Sequence, residues 1–372
     1  MTGYPQNAMR LRPSPSPFLV GLVASGLACV AILIIVAHSG WRPVAILRQY
    51  DGAFYYRIAC DPLLRDPGTV AALDNPPVRL RRIAYPVAAS LLALGNARLV
   101  PWTLLAVNVL SIGAVGALLA LENRSLAGSA LPLSLAFQGL WISLALSTPD
   151  AFALALLLSG IALLRRGHSV SAAAVFLLAS LSRDIYLVGV GALAIQAAHS
   201  RSLRTGVTLA LGQVPAALWA VYLAASYRTG TSGFHDSFSW PLLGFWHSLT
   251  ALAAPPPDSI GKSLYALASL AILVVFLTIL TLSVYHQRHS LPEAGVIGVT
   301  LLSLTLFARE SILGYFVGFA RAFVGIYVLS WMMPEPPPRV RSLRSAGTLA
   351  SAVLSALFLV NFFLNHTRPD LP

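Results

Sequence analysis

Between Phe18 and His38 the chain carries no Asp, Glu, Lys or Arg, and comparable apolar runs recur along most of its 372 residues. Within hydrocarbon every backbone N–H and C=O must be satisfied inside the protein, which leaves helices or a closed barrel. The runs are continuous rather than alternating apolar and polar, so helices are expected. Only 10% of the residues are charged and 57% are hydrophobic, against about 25% charged in soluble domains. The expected fold class is all-α, a polytopic membrane helix bundle forming one domain over residues 1–372.

Runs that read as spans lie at 18–38, 101–121, 130–148, 150–164, 169–182, 185–198, 205–226, 263–285, 293–308, 312–333 and 346–364. This predicts about 11 transmembrane helices, within a range of about 10–13, the shorter ones tilted or internal. Phe18–His38 reads as an uncleaved first helix, since it is longer than a signal-peptide core and no small-x-small site follows. Residues 83–95 follow directly on Arg79, Arg81 and Arg82, are too short to cross, and read as an interfacial helix. Two long loops remain, 39–100 and 227–262.

With the N-terminus in the cytoplasm, the cytoplasmic loops carry Arg10, Arg12, Arg124, Arg165, Arg166, Arg201, Arg204, Arg288, Arg339, Arg341 and Arg344, as the positive-inside rule expects. Glu122, Glu293 and Glu335 are the acids on that side; the others, including Asp51, Asp74, Asp150, Asp184, Asp236, Asp258, Glu310 and Asp370, fall on the outer side together with both long loops. The formal charge of +12 is thereby explained by topology, and nucleic acid is not an expected partner. Two cysteines, Cys29 and Cys60, are too few for a disulfide framework or a cysteine metal site.

A cleft at the outer face is therefore expected, and Asp51 is its leading residue. It opens Tyr50-Asp51-Gly52-Ala53-Phe54-Tyr55-Tyr56-Arg57-Ile58-Ala59, where Phe54, Tyr55 and Ile58 make one apolar helical face. A carboxylate held at the water–lipid boundary can act as a general base toward a hydroxyl or ligate a divalent cation. The plainer reading is a helix N-terminal acid favoured by the dipole beside Arg48. The Asp-Pro and Asn-Pro steps at 61–62, 66–67 and 75–76 read as turns. The Arg79-Leu80-Arg81-Arg82 cluster suits either a bound phosphate or lipid headgroups, and Tyr85, three residues beyond Arg82, shares its helical face.

Asp150, after Thr148-Pro149, is a second carboxylate or a plain helix start. Arg183-Asp184 and Arg309-Glu310 interrupt apolar sequence and read as interfacial pairs or cavity residues. Arg321 lies inside an apolar run and must find a carboxylate or a lipid phosphate. His235 and Asp236, among aromatics running from Phe234 to Trp246, are candidate sugar contacts or part of an interfacial belt. There is no P-loop, Rossmann fingerprint, Gly-x-Ser-x-Gly elbow or His-Glu-x-x-His site. A donor is thus expected to be lipid-borne rather than a nucleotide sugar.

Tyr50-Asp51-Gly52-x-x-Tyr55-x-x-Ile58-Ala59 resembles the first outer loop of the GT-C superfamily of integral-membrane glycosyltransferases, most of all the group of the second GPI mannosyltransferase and its bacterial relatives. Pro149-Asp150, Arg165-Arg166-Gly167 and Leu181-Ser182-Arg183-Asp184 are similar to that group in order and spacing, so the resemblance covers about residues 18–200 and is architectural beyond. Asp51 is followed by Gly52 where several branches have a second acid, and Arg82-Ile83-Ala84-Tyr85-Pro86 stands in place of the Phe-Phe-Pro-x-x-Pro element, so mannose does not carry over.

The resemblance implies a transferase taking sugar from a polyprenyl-phosphate carrier to a lipid, glycan or protein acceptor at the outer face of a bacterial cytoplasmic membrane. Asp51 would be the base. Arg321, with Arg82 or Arg183, would hold the phosphate. Tyr55, Tyr85, Asp150, Asp184, His235, Asp236, Arg309 and Glu310 would line the donor and acceptor sites, and a divalent cation (Mg or Mn), if used, would sit on Asp51 and Asp150. The rival readings are a transporter or flippase of a lipid-linked or anionic substrate, and a non-catalytic assembly partner that kept the fold.

Overall fold

The computed structural model describes residues 16–47, 50–122, 129–200, 202–227, 238–253, 260–288, 290–314, 316–334 and 336–366. The candidates His235 and Asp236, together with Arg10, Arg12, Arg48, Arg124, Arg201, Glu335, Asp258 and Asp370, lie outside them. Among the described residues the regular structure is helical, with one isolated bridge between Phe238 and Ala308. In chain order the helices are α1 Pro17–His38, α2 Pro43–Leu47, α3 Gly52–Cys60, α4 Pro67–Ala71, α5 Pro76–Leu80, α6 Ala84–Leu92, α7 Val100–Glu122, α8 Ala130–Ala136, α9 Gln138–Ala145 and α10 Asp150–Arg165. They continue as α11 Ser169–Ser182, α12 Ile185–Ser200, α13 Leu203–Ser226, α14 Leu243–Ala253, α15 Ile260–His286, α16 Glu293–Leu306, α17 Glu310–Leu313, α18 Phe316–Ala322, α19 Val324–Met332 and α20 Pro338–His366.

Five of these are long and apolar enough to cross a membrane: α1, α7, α13, α15 and α20. On their outer faces Leu22, Leu218, Val274 and Leu357 are exposed, a surface suited to hydrocarbon rather than water. The other apolar runs form shorter helices, and two are broken. The run 130–148 divides at Phe137, whose extended backbone separates α8 from α9. Trp141 donates to the carbonyl of Leu135 across the break at 2.7 Å, which returns one of the backbone bonds lost there. The run 312–333 divides into α17, α18 and α19. α9 and α19 are buried along their length, so the broken segments fill the centre while the long helices surround them.

Local chemistry explains several helix starts. Ser16 accepts from Leu19 N with Pro17 behind it, Asp66 from Gly68 N before Pro67, and Asn75 from Val78 N before Pro76. The Asp66-Pro67 and Asn75-Pro76 steps read as turns are thus N-caps with proline in the first helical turn, where no N–H is missed. Residues 83–95, expected as one interfacial helix, hold the short α6, packed on α3 and α7. α1 lies along α7 at a glycine contact, where a Cβ on Gly113 would meet the Gly21 carbonyl oxygen at 2.6 Å. Such close approach is how helices associate where no hydrophobic gradient drives them.

The charges collect at two ends. α10 begins at Asp150, paired with Arg183 at 3.1 Å, and ends at Arg165, paired with Glu122 at 3.1 Å and Glu293 at 2.9 Å. At 1.5 Å per residue its two ends lie ~24 Å apart, close to a hydrocarbon thickness of ~30 Å. Glu122 and Glu293 therefore share one end with Arg165 and Arg166, and Asp51, Asp150 and Asp184 share the other. Arg165 ties α7, α10 and α16 together. Arg165→Ala is expected to cost ~1–3 kcal/mol, below a fully buried pair because Arg165 is partly exposed, and to leave anion binding at the Asp51 end unchanged; thermal unfolding in detergent and phosphate titration check the two halves.

Candidate functional site

Asp51 is placed by an unusual start to α3. Tyr50 before it has φ 58, and Asp51 stands at the N-cap without a side-chain cap bond. Gly52 then lies against the turn that precedes α10: a Cβ there would be 2.6 Å from the carbonyl oxygen of Leu146 and 3.2 Å from that of Leu47. Any larger residue would push α3 off that turn. Tyr55, Ile58 and Ala59 are buried on the inner face of α3, as the spacing predicts. The Asp51 carboxylate is left free to turn toward the cavity.

There it bridges two arginines. Arg79 Nη2 lies 2.9 Å from Asp51 Oδ1, and Arg321 Nη2 pairs with Asp51 Oδ2. The dipole-only reading of Asp51 does not account for this pair. Arg79 also reaches Asp74 with Nε and Nη2, each at 2.8 Å, and lies 4.6 Å over the ring of Phe54. Arg321, which has no acid near it in sequence, was expected to meet a carboxylate or a lipid phosphate; the structure gives it a carboxylate, that of Asp51.

These groups line a cavity of about 340 Å³ with Arg82, Arg183, Asn75, Ser311 and Gly318. Asp150 and Asp184 stand behind the arginines rather than on the wall. Asp150 accepts from Thr148 Oγ1 at 2.9 Å and pairs with Arg183, while Asp184 lies 3.7 Å from Arg81 and 3.9 Å from Arg82. Arg82 Nη1 donates to the Tyr55 hydroxyl at 3.3 Å. Tyr85 is buried, meets Tyr55 edge-on at 5.9 Å, donates to the Leu104 carbonyl at 3.0 Å and receives a bond from Asn108 at 3.0 Å. Tyr55 and Tyr85 therefore support the arginines from beneath.

Of the sequence candidates, Asp51, Arg82, Arg183 and Arg321 meet on the cavity wall; Tyr55, Tyr85, Asp150 and Asp184 brace it. Arg309 and Glu310 do not line it: Glu310 pairs with His247 at 3.2 Å and with Arg309 at 3.5 Å on a more exposed surface. Arg79 and Asp74 belong to the wall but were not singled out. The Arg79-x-Arg81-Arg82 cluster was the available signal, and helical spacing does not say which of its members turns inward.

Burial pushes the Asp51 carboxyl upward, but Arg321 and Arg79 outweigh it and hold it well below the usual carboxylate range. The hydrogen bond from Arg79 lowers Asp74 as well. Both oxygens of Asp51 pair with guanidiniums; Asp150 Oδ2 accepts from Thr148, and its Oδ1 lies 3.1 Å from Arg183 but is buried without a hydrogen-bond partner. A divalent cation held by Asp51 and Asp150 would have to compete with Arg79, Arg321 and Arg183.

An apolar groove adjoins this end. α14 turns His247 toward Glu310, and Gly244 lies so near residues 308–309 that a Cβ would meet the Ala308 carbonyl oxygen. Its other face, with Phe245, Trp246 and Leu249, lines a cavity of about 520 Å³ with Leu267, Leu270, Ala271 and Val274 of α15. One amphipathic helix thus separates the segment carrying Ser311 and Ile312 of the charged cavity from an apolar groove.

No family model, curated protein or solved structure matches the chain.

The depressed pKa of Asp51 fixes the sign of a pH effect. Its ion pairs contribute stability that is fully present above the ordinary Asp value of ~3.9 and lost as pH falls toward the lowered folded value. The stability difference between wild type and Asp51→Asn is expected to hold constant from about pH 7 to 5 and to shift in favour of Asp51→Asn below about pH 4; chemical unfolding across that range measures it.

Proposed function

We propose that this protein is an inverting glycosyltransferase of the GT-C type, moving a sugar from a polyprenyl-phosphate carrier to an acceptor hydroxyl. The observation that carries this reading is a carboxylate on the wall of a cavity that also presents Arg79, Arg82, Arg183 and Arg321, at one end of an apolar helix bundle. An acid that can take a proton and guanidiniums that can hold a phosphate are the two halves of such a reaction. The neighbouring groove between α14 and α15 suits the isoprenyl tail, and its apolar lining supports a lipid-borne donor over a free one. The resemblance of Tyr50–Ala59 to GT-C first loops points the same way.

In the proposed reaction the acceptor hydroxyl oxygen attacks the anomeric carbon on the face opposite the phosphate. The bond from that carbon to the phosphate oxygen breaks, the hydroxyl proton passes to Asp51, and polyprenyl phosphate leaves with one more negative charge. Arg183, Arg82 and Arg321 are placed to stabilise that developing charge, as preorganised cations do. Asp150 and Asp184 keep Arg183 and Arg82 oriented. About 11 spans, with the N-terminus in the cytoplasm and the Asp51 end at the outer face of a bacterial cytoplasmic membrane, complete the proposal.

The test is mass spectrometry of envelope glycans and glycolipids from a strain deleted for this gene and complemented with wild type or Asp51→Asn. One sugar is expected to vanish on deletion and to return with wild type only, the variant transferring about 10²–10⁴-fold more slowly. Full restoration by a stably inserted Asp51→Asn protein would reject the base and favour the transporter reading.

A further inference from the structure

Arg79 and Arg321 both pair with Asp51, but they are not held alike. Arg79 is anchored three ways: two bonds of 2.8 Å to Asp74, the pair with Asp51, and the Phe54 ring beneath its guanidinium. Arg321 spends only Nη2 on Asp51; its Nε and Nη1 are buried with no hydrogen-bond partner. Arg82 Nε and Arg183 Nε are likewise buried without a hydrogen-bond partner, Arg82 Nε facing Asp184 Oδ1 only at 3.9 Å, and all three residues line the same cavity. A buried ionised donor left without an acceptor is costly, and an anion in this cavity toward which these guanidiniums turn would satisfy several at once.

We propose that Arg321 is shared between Asp51 and the donor's phosphate, and that Arg79 is the positioning residue that keeps Asp51 in place when Arg321 turns to that phosphate. This rests on the transferase reading above. Before the donor arrives Asp51 holds two guanidiniums and is a poor base, since the proton it must accept competes with both. A phosphate on Nε and Nη1 of Arg321 draws that cation away and frees Oδ2 for the acceptor hydroxyl. Arg79 stays with Asp74 and keeps Oδ1. The other charged or titratable groups around the pair are Arg82, Asp74, Tyr55, Asp150 and Arg183. Asp74 is bonded to Arg79, Arg82 to Tyr55 with Asp184 nearby, and Asp150 pairs with Arg183, so of the two guanidiniums on Asp51 it is Arg321 that keeps donors for a phosphate.

Coupling of this kind is reciprocal: what weakens the hold of Asp51 on Arg321 must strengthen anion binding. The experiment is calorimetric titration of the full-length protein in detergent with inorganic phosphate, on wild type, Asp51→Asn and Asp74→Asn, each with and without Arg321→Gln. Asp51→Asn is expected to bind phosphate roughly tenfold tighter. Asp74→Asn removes the same charge from the same wall but pairs with Arg79, and its gain is expected to stay under about threefold. In the Arg321→Gln background the gain from Asp51→Asn is expected to vanish, as a double-mutant cycle requires of a shared partner. Equal gains from the two Asn variants, or a gain that survives Arg321→Gln, would overturn the sharing.

Repeating the titration with a short-chain isoprenyl phosphate separates a lipid headgroup from a free anion. The Asp51→Asn gain is expected with both, and a gain confined to inorganic phosphate overturns the proposal for the donor. In the transfer assay Arg79→Gln is expected to lower kcat about 10–100-fold with little change in donor KM, and Arg321→Gln to raise donor KM. Where Arg79→Gln does not accumulate, Arg79→Lys reads the same split; a change in donor KM equal to that of Arg321→Gln removes the positioning role. If Asp51→Asn instead transfers sugar at the wild-type rate, it is the base role of Asp51 in the proposed reaction that fails, whatever the titrations show; loss of no envelope sugar on deletion is what would sink the transferase reading itself.

Discussion

Asp51, Asp74, Asp150 and Asp184 pair with Arg79, Arg81, Arg82, Arg183 and Arg321 at one end of an apolar bundle. Isolated charges could not stay ionised there, because removing an ion from water costs more than most single contacts return. Paired, they can, and the pairing then dictates where the backbone must go. α3 has to bring Asp51 to Arg321, α5 has to bring Arg79 to both Asp51 and Asp74, and the turn before α10 has to bring Asp150 under Arg183. Elements as short as α5, a single turn, are held in register by these commitments.

The same pairings shape the chemistry. A carboxylate behind each of Arg82 and Arg183 restrains a long side chain that would otherwise sample many rotamers, so little entropy is left to lose when an anion binds. The buried tyrosines Tyr55 and Tyr85 and the amide of Asn108 continue that restraint into the first loop and α7. The opposite end shows the structural counterpart: Arg165 and Arg166 are paired with Glu122 and Glu293 and tie helices together. Like chemistry serves cohesion at one end and a charged cavity at the other; the difference is that arginines at the Asp51 end line open space and keep buried donors without hydrogen-bond partners.

Much of the fold was legible because hydrocarbon admits few backbone solutions. The runs at 18–38, 101–121, 205–226, 263–285 and 346–364 each fall in a long helix, and the separation of Glu122 and Glu293 from Asp51, Asp150 and Asp184 follows from counting apolar runs. The breaks at Phe137, Gly314 and Phe323 were not legible, since 130–148 and 312–333 are predominantly apolar, Gln138 and Arg321 apart, and the interruption is set by what packs in the centre. Asp66-Pro67 and Asn75-Pro76 were read as turns because proline stops a helix from behind as readily as it starts one. In the site, Asp51 and Arg321 stood out as charges in costly places, while Arg79 did not, being one of several adjacent arginines in a loop.

Hydropathy and the cost of unpaired backbone act locally on every segment, and so the sequence alone establishes a helical chain with segments long and apolar enough to cross a membrane and most of its acids at the ends of apolar runs. Only the tertiary structure decided which charge meets which. Asp51 and Arg321 are 270 residues apart, and nothing in either neighbourhood names the other. Their meeting depends on how closely Gly52 lets α3 approach the turn before α10 and on where α18 enters the centre. Those are properties of packing, in which one Cβ would change the answer, and no local pattern records them.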